Sequence, residues 1–165
     1  MEIKFLIKNK IFKVAIFLIG LMTVNSFAQE MAVPVNLQAA LFKKIFAFDK
    51  TLTAKGNIEI AVIGDGADEV VSAFKNAGIN AKAAEQIGEA SVAYVMPGTA
   101  SIKSQSAAKG VLTISGVTSF VESGNVAVGI GVDGGKPKIV INMSQLKAES
   151  QELSADLLKI AKVIQ

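Results

Sequence analysis

Three short apolar runs set the limits on what this chain can fold into. Ile58-Glu-Ile-Ala-Val-Ile63, Ser91-Val-Ala-Tyr-Val-Met96 and Val111-Leu-Thr-Ile114 are almost free of charge, and they stop at Gly64-Asp65-Gly66, Pro97-Gly98 and Ser115-Gly116. Runs of this length, bounded by turn residues, read as strands. Because they do not alternate between apolar and polar, they are expected to be covered on both faces, as in a parallel sheet between helices. The segments between them fit that reading. Asp68 to Ala77 places Val70, Val71 and Phe74 on one helical face and ends at Gly78. Ile79 to Ala83 reads as a further short strand. Thr99 is a candidate cap for a helix running to about Ala108, and a short helix is expected around Ser119 to Glu122.

The two ends of the domain follow other rules. After Val33-Pro34, the residues Leu37, Leu41, Ile45 and Phe48 recur at helical spacing, with Phe42 and Phe46 broadening the stripe. A helix over residues 35–50 is expected, with that stripe on the core; the same stripe would also suit a partner's groove. Toward the C-terminus, runs 125–132 and 138–142 are joined by Asp133-Gly134-Gly135-Lys136-Pro137, a strong hairpin signal. A last helix is expected from about Ser154 to Ile164, with Leu157, Leu158, Ala161 and Ile164 inward. The fold class is therefore α/β: a three-layer α/β/α sandwich with a mostly parallel sheet and a C-terminal antiparallel hairpin.

The first residues belong to a different program. Lys4, Lys8, Lys10 and Lys13 precede the apolar run Val14 to Val24, and Ser26 and Ala28 supply small residues at the positions a signal peptidase inspects. Residues 1–28 read as a cleaved signal peptide, which sends the protein to the periplasm. Eleven apolar residues rise only about 16 Å as a helix, against roughly 30 Å of hydrocarbon, too little for a membrane anchor. Residues 29–165 remain as a single domain. The leader carries four lysines and one glutamate of the chain's 17 Lys and 14 acids, so 13 of each stay behind and the formal charge of the remainder is zero. The basic character thus resides in the leader, and no nucleic-acid partner is expected.

The chain has no Cys, no His and no Arg. These absences remove disulfides, thiolate chemistry, Ser-His-Asp catalysis, most zinc sites and bidentate clamps for phosphate. Lys, Asp, Glu, Ser and Tyr94 remain as possible catalytic groups, but the composition favours binding over catalysis, and no metal or cofactor is expected. Gly129-Ile-Gly131-Val-Asp-Gly134 has the letters of a dinucleotide fingerprint. That motif needs a helix after its strand, whereas a hairpin follows here. Asp65, Asp68 and Glu69 form an acidic cluster that fits either a cation or a helix N-terminus. Open α/β sheets bind ligands at the carboxyl ends of their strands. The candidate ligand-binding residues are therefore Asp65, Gly66, Thr99, Ser101, Ser115 and Thr118, each of which is also an ordinary turn or cap residue type.

One longer succession of residues carries a resemblance. Val111-Leu-Thr-Ile-Ser-Gly-Val-Thr-Ser-Phe-Val-Glu-Ser-Gly124 is followed by the hairpin, by Lys138-Ile-Val-Ile-Asn142, and by Leu153-Ser-Ala-Asp-Leu-Leu-Lys-Ile-Ala-Lys-Val163. With Ile60-Ala-Val-Ile-Gly-Asp65 and Leu41-Phe-Lys-Lys-Ile-Phe46, this resembles the YfiR-like family of small periplasmic regulatory proteins. Gly116, Ser123 and Lys138 depart from that family's pattern, and the cysteines of some members are missing. The resemblance implies a dimeric, non-enzymatic regulator that binds and represses a membrane-bound signalling protein of the diguanylate-cyclase type. It also implies an outer-membrane protein as a further partner. A stand-alone periplasmic module for a small molecule is the other reading.

Overall fold

The computed structural model describes residues 31–165; the signal peptide expected over residues 1–28 lies outside them. Helix α1 spans Val35–Phe46 and α2 spans Lys50–Lys55. Strand β1 (Glu59–Ile63), α3 (Ala67–Asn76), β2 (Asn80–Ala84), β3 (Val92–Val95), α4 (Lys103–Lys109), β4 (Leu112–Ser115) and α5 (Thr118–Glu122) then alternate. The C-terminal part holds β5 (Val128–Asp133), β6 (Lys136–Asn142), α6 (Met143–Ala148), α7 (Ala155–Ile160) and β7 (Lys162–Ile164). All strands join one seven-stranded sheet in the order β2-β1-β3-β4-β5-β6-β7. β1 to β5 run parallel, β6 pairs antiparallel with β5, and β7 lies parallel to β6. The α/β sandwich expected from the apolar runs is the architecture found, with the hairpin where Asp133-Gly134-Gly135 placed it. Gly134 and Gly135 have φ of 56° and 76°, the left-handed pair that a tight two-residue hairpin turn requires.

Side chains leave each strand on alternate faces, and the core divides accordingly. Ile60, Val62, Val92, Tyr94, Leu112, Ile114, Val128, Ile130 and Ile141 face α1 and α3 and meet Phe42, Phe46, Val70 and Phe74. On the opposite face Ala61, Ile63, Ala93 and Val111 pack with Ile87 and Ala90, while Val95 and Val140 pack with Val121 and Val126. Helix α5 sits unusually close to the sheet because β5 offers glycines beneath it. A Cβ at Gly129 would lie 2.5 Å from Val121 Cγ2, and one at Gly131 would lie 2.3 Å from Thr118 Cγ2. These glycines of the dinucleotide-like string therefore serve helix–strand packing.

Four local expectations change. Helix α1 stops at Phe46, and Asp49 starts a separate helix by accepting from the Leu52 N–H at 3.0 Å. A short polar side chain in extended backbone is a strong N-cap, and it interrupts what the apolar spacing alone continues. The buried face of α1 is also rotated: Gln38, Ala39, Phe42, Ile45 and Phe46 are buried, while Leu37 and Phe48 are 43% and 44% exposed. The rings decide this, since Phe42 lies 6.2, 6.3 and 6.1 Å from Phe46, Phe74 and Tyr94 between centroids. Thr99 does not cap a helix. Its hydroxyl donates to Ile63 O at 3.1 Å, and α4 begins only at Lys103. Finally, the last helix ends at Ile160, where Ala161 turns extended, and Lys162–Ile164 pairs with Val140–Asn142 as β7. Val163 and Ile164 are β-branched and find open ladder positions on β6, which outweighs continuing the helical period.

Candidate functional site

The strand order reverses between β1 and β3, and ligands of open α/β sheets bind at that switch point. The loops after these two strands form the crevice found there. Gly64, Asp65, Met96, Pro97, Gly98 and Thr99 line about 530 Å³ of open space. Its shape depends on Gly64, whose φ of 117° and missing side chain let the Pro97–Thr99 loop close over it. The Met96 N–H donates to Ile63 O at 2.9 Å, and the Thr99 N–H donates to Met96 O at 3.2 Å, so the second loop is a tight turn hung on the end of β1. Gly66, at φ 75°, then opens α3, with Asp68 and Glu69 in its first turn. No lysine lines the crevice. Asp65, the Thr99 hydroxyl and loop backbone groups are its polar complement, which suits a neutral or cationic polar molecule better than an anion.

The six sequence candidates do not converge. Asp65 and Thr99 line the crevice and Gly66 adjoins it. Ser101 is exposed and outside its lining. Ser115 is fully buried: its hydroxyl donates to Val95 O at 2.8 Å and accepts from the Val117 N–H at 3.1 Å. That hydroxyl fastens the corner after β4 and is sealed from any substrate. Thr118 belongs to a separate depression of about 310 Å³ on the far face of the sheet, shared with Glu122, Asp133, Lys138 and Lys162. Among the described residues no group of three or more acidic side chains is placed to hold a metal ion; Asp68 and Glu69 lie in the first turn of α3 and Asp65 precedes it.

Two polar clusters were not singled out by the residue pattern. Between β3 and β4, the Tyr94 hydroxyl accepts from the Gly116 N–H at 3.2 Å and donates to Gln38 Oε1 at 2.7 Å, and Gln38 Nε2 donates to Val33 O at 2.6 Å. Burial pushes the Tyr94 phenol well above its ordinary value, so it stays neutral and acts as a fixed link between the sheet and the segment entering α1. At the opposite end of β4, Glu149 is fully buried. Its carboxylate accepts from Thr113 N at 2.9 Å, Thr113 Oγ1 at 2.6 Å, Ser106 Oγ at 2.8 Å and Gln145 Nε2 at 2.8 Å. Burial raises its pKa, and these donors oppose the shift. The one sequence signal for both clusters was polar residues within apolar surroundings: Gln38 inside a helical stripe and Thr113 inside a strand.

The sequence profile of the YfiR/HmsC-like family matches residues 35–162. No curated protein matches the chain. Among solved structures, the chain is similar to the ABC domain solved in complex with L-Trp from Streptococcus pneumonia. That match has 16% identity and a TM-score of 0.55, covering 79% of this chain and 62% of the other. It is also similar to a conserved domain protein from Vibrio cholerae, with 15% identity and a TM-score of 0.52, covering 80% of this chain and 60% of the other. The chain thus spans less than two thirds of either relative, and the likeness is one of fold alone.

Proposed function

The chain belongs to the YfiR/HmsC-like family, known as periplasmic regulators rather than catalysts, and from that premise we propose that its processed domain binds and represses a membrane-bound signalling protein of the diguanylate-cyclase type. The observation that carries the reading is the family match over residues 35–162, which takes in every element from α1 to the start of β7. The physical setting supports it. The hydroxyl of the candidate ligand residue Ser115 is enclosed, and the buried Tyr94 and Glu149 are bound into structural networks. Leu37 on α1 and Phe48 just after it are partly exposed apolar side chains, available to a partner. Among the described residues no helix is long and apolar enough to cross a membrane.

In this reading the protein works in the periplasm as a homodimer, an outer-membrane protein counteracts it, and it needs no cofactor. Capture from envelope extracts with the processed protein is expected to recover a membrane signalling protein, and deletion of the gene is expected to raise cyclic-di-GMP. Recovery of no such protein, together with unchanged cyclic-di-GMP, overturns the reading.

A second reading rests on the crevice at the β1–β3 switch point: a small polar molecule held by Asp65 and Thr99. Native mass spectrometry of freshly purified protein distinguishes the two, since a bound small molecule lost on Asp65→Asn is expected only from this second reading.

A further inference from the structure

The segment between α6 and α7, residues 149–154, concentrates features that a stable connection normally avoids. Ser150 has φ of 55° and is the only non-glycine with positive φ among the described residues. Gln151 Oε1 is buried without a hydrogen-bond donor, although its Nε2 donates to Gly110 O at 3.0 Å and Glu149 O at 2.8 Å. Glu149 opens the segment as a fully buried carboxyl. Asp49 faces the segment from the other side through the Asp49–Leu153 bridge; it too is fully buried, and its Oδ2 has no donor. Neither carboxyl joins an ion pair among the described residues. Strain, orphan acceptors and buried charge gathered in one joint mark an element held between two states.

We infer that residues 149–154 form a proton-responsive joint: ionised Asp49 and Glu149 hold it in tension, and proton uptake by them tightens the attachment of α7 and β7 to the domain. The geometry accommodates both forms of Glu149. When ionised, it accepts the Ser106 hydroxyl. When protonated, it donates to Ser106 Oγ, whose own proton turns to Lys103 O at 3.0 Å, so no hydrogen bond is lost. For Asp49, protonation neutralises a buried carboxylate whose Oδ1 accepts from the Leu52 N–H at 3.0 Å and which the Thr51 N–H also favours in its ionised form, while Oδ2 has no donor.

The surrounding charges do not cancel the effect. Lys55 on α2 favours ionised Asp49, whereas Glu152, which pairs with Lys50, opposes it. Around Glu149, the lysines of the packed helices, Lys103, Lys109 and Lys147, are exposed, and Lys109 is engaged with Gly88 O at 2.9 Å. Burial raises the pKa of both carboxyls above their ordinary values, so the folded state takes up protons more readily than the unfolded one. Stability from the joint is therefore full at low pH and is lost as pH rises through the raised values. The part governed is small. β7 has three residues, paired only to β6, and α7 buries Leu157 while leaving Ile160 63% exposed.

The inference is independent of the regulatory reading, and hydrogen exchange on the processed protein tests it. Between pH 8 and pH 5, after correction for intrinsic rates, β7 amides are expected to gain protection by on the order of tenfold. In the Asp49→Asn/Glu149→Gln double variant that gain is expected to vanish. A wild type without the gain, or a double variant that keeps it, overturns the inference. If the double variant does not fold, carbon-13 titration of the Glu149 carboxyl in the wild type decides. A midpoint that coincides with the pH at which β7 protection changes supports the joint, and one that does not refutes it.

Discussion

Gly64 and Thr99 approach so closely that a Cβ on the glycine would lie 2.1 Å from the threonine Oγ1, while that same hydroxyl holds Ile63 O at 3.1 Å. The carboxyl ends of β1 and β3 are thus pinned together at the point where the strand order reverses. The crevice beside them has its shape because one residue lacks a side chain.

Gly64→Ala is expected to destabilise the domain by about 2–4 kcal/mol, combining a left-handed backbone with the collision against Thr99 and Met96. Thr99→Ala in the same chain removes part of the collision but none of the backbone strain. Urea unfolding of the two single variants and the double variant should therefore show partial, not full, recovery.

Tyr94→Phe deletes one hydroxyl and leaves the buried Gly116 N–H and Gln38 Oε1 without the partner they share. A loss of about 1–3 kcal/mol is expected. Faster exchange of the Gly116 amide, read by NMR, would locate the damage between β3 and β4.

Thr113→Val removes the Oγ1 donor to Glu149 and the acceptor of the Ala127 N–H at 2.9 Å. The cost is expected to be about 2–4 kcal/mol near neutrality. It should shrink on acidification, because burial already places the Glu149 pKa above its ordinary value and a protonated carboxyl needs fewer donors. Thermal unfolding at pH 7 and pH 5 checks both the size and the sign.

Leu37→Asp and Phe48→Asp alter side chains that are 43% and 44% exposed, so each loses partial apolar burial and is expected to cost about 1–2 kcal/mol while the domain stays folded. Capture of the membrane partner from envelope extracts should nevertheless fall sharply. Undiminished capture by both variants would remove this face from the interface.

The layer order was readable because it depends on local facts: unbroken apolar runs, glycine and proline stops, and the Asp-Gly-Gly hairpin. The candidate site was only partly readable. Asp65 and Thr99 do share a crevice, because both follow strands that end at the switch point. Ser115 and Thr118 carry the same turn chemistry, yet one hydroxyl closes a buried corner and the other residue's methyl fills the space above Gly131. Residue type marks a turn, whereas the neighbours across the fold decide whether its polar atom remains available.

By itself, then, the sequence determined the α/β alternation, the hairpin, the zero formal charge of residues 29–165 and the absence of thiol, imidazole and guanidinium chemistry. The tertiary structure decided which face of α1 is buried, that residues 162–164 pair as a strand, and that Asp49 and Glu149 lie in the interior. The physical reason is range. Helical and strand periods act over a few residues and are written in the local pattern. Ring packing, ladder vacancies and the burial of a carboxyl depend on partners dozens of residues away, as with Thr113 and Glu149, and are set only when the chain closes on itself.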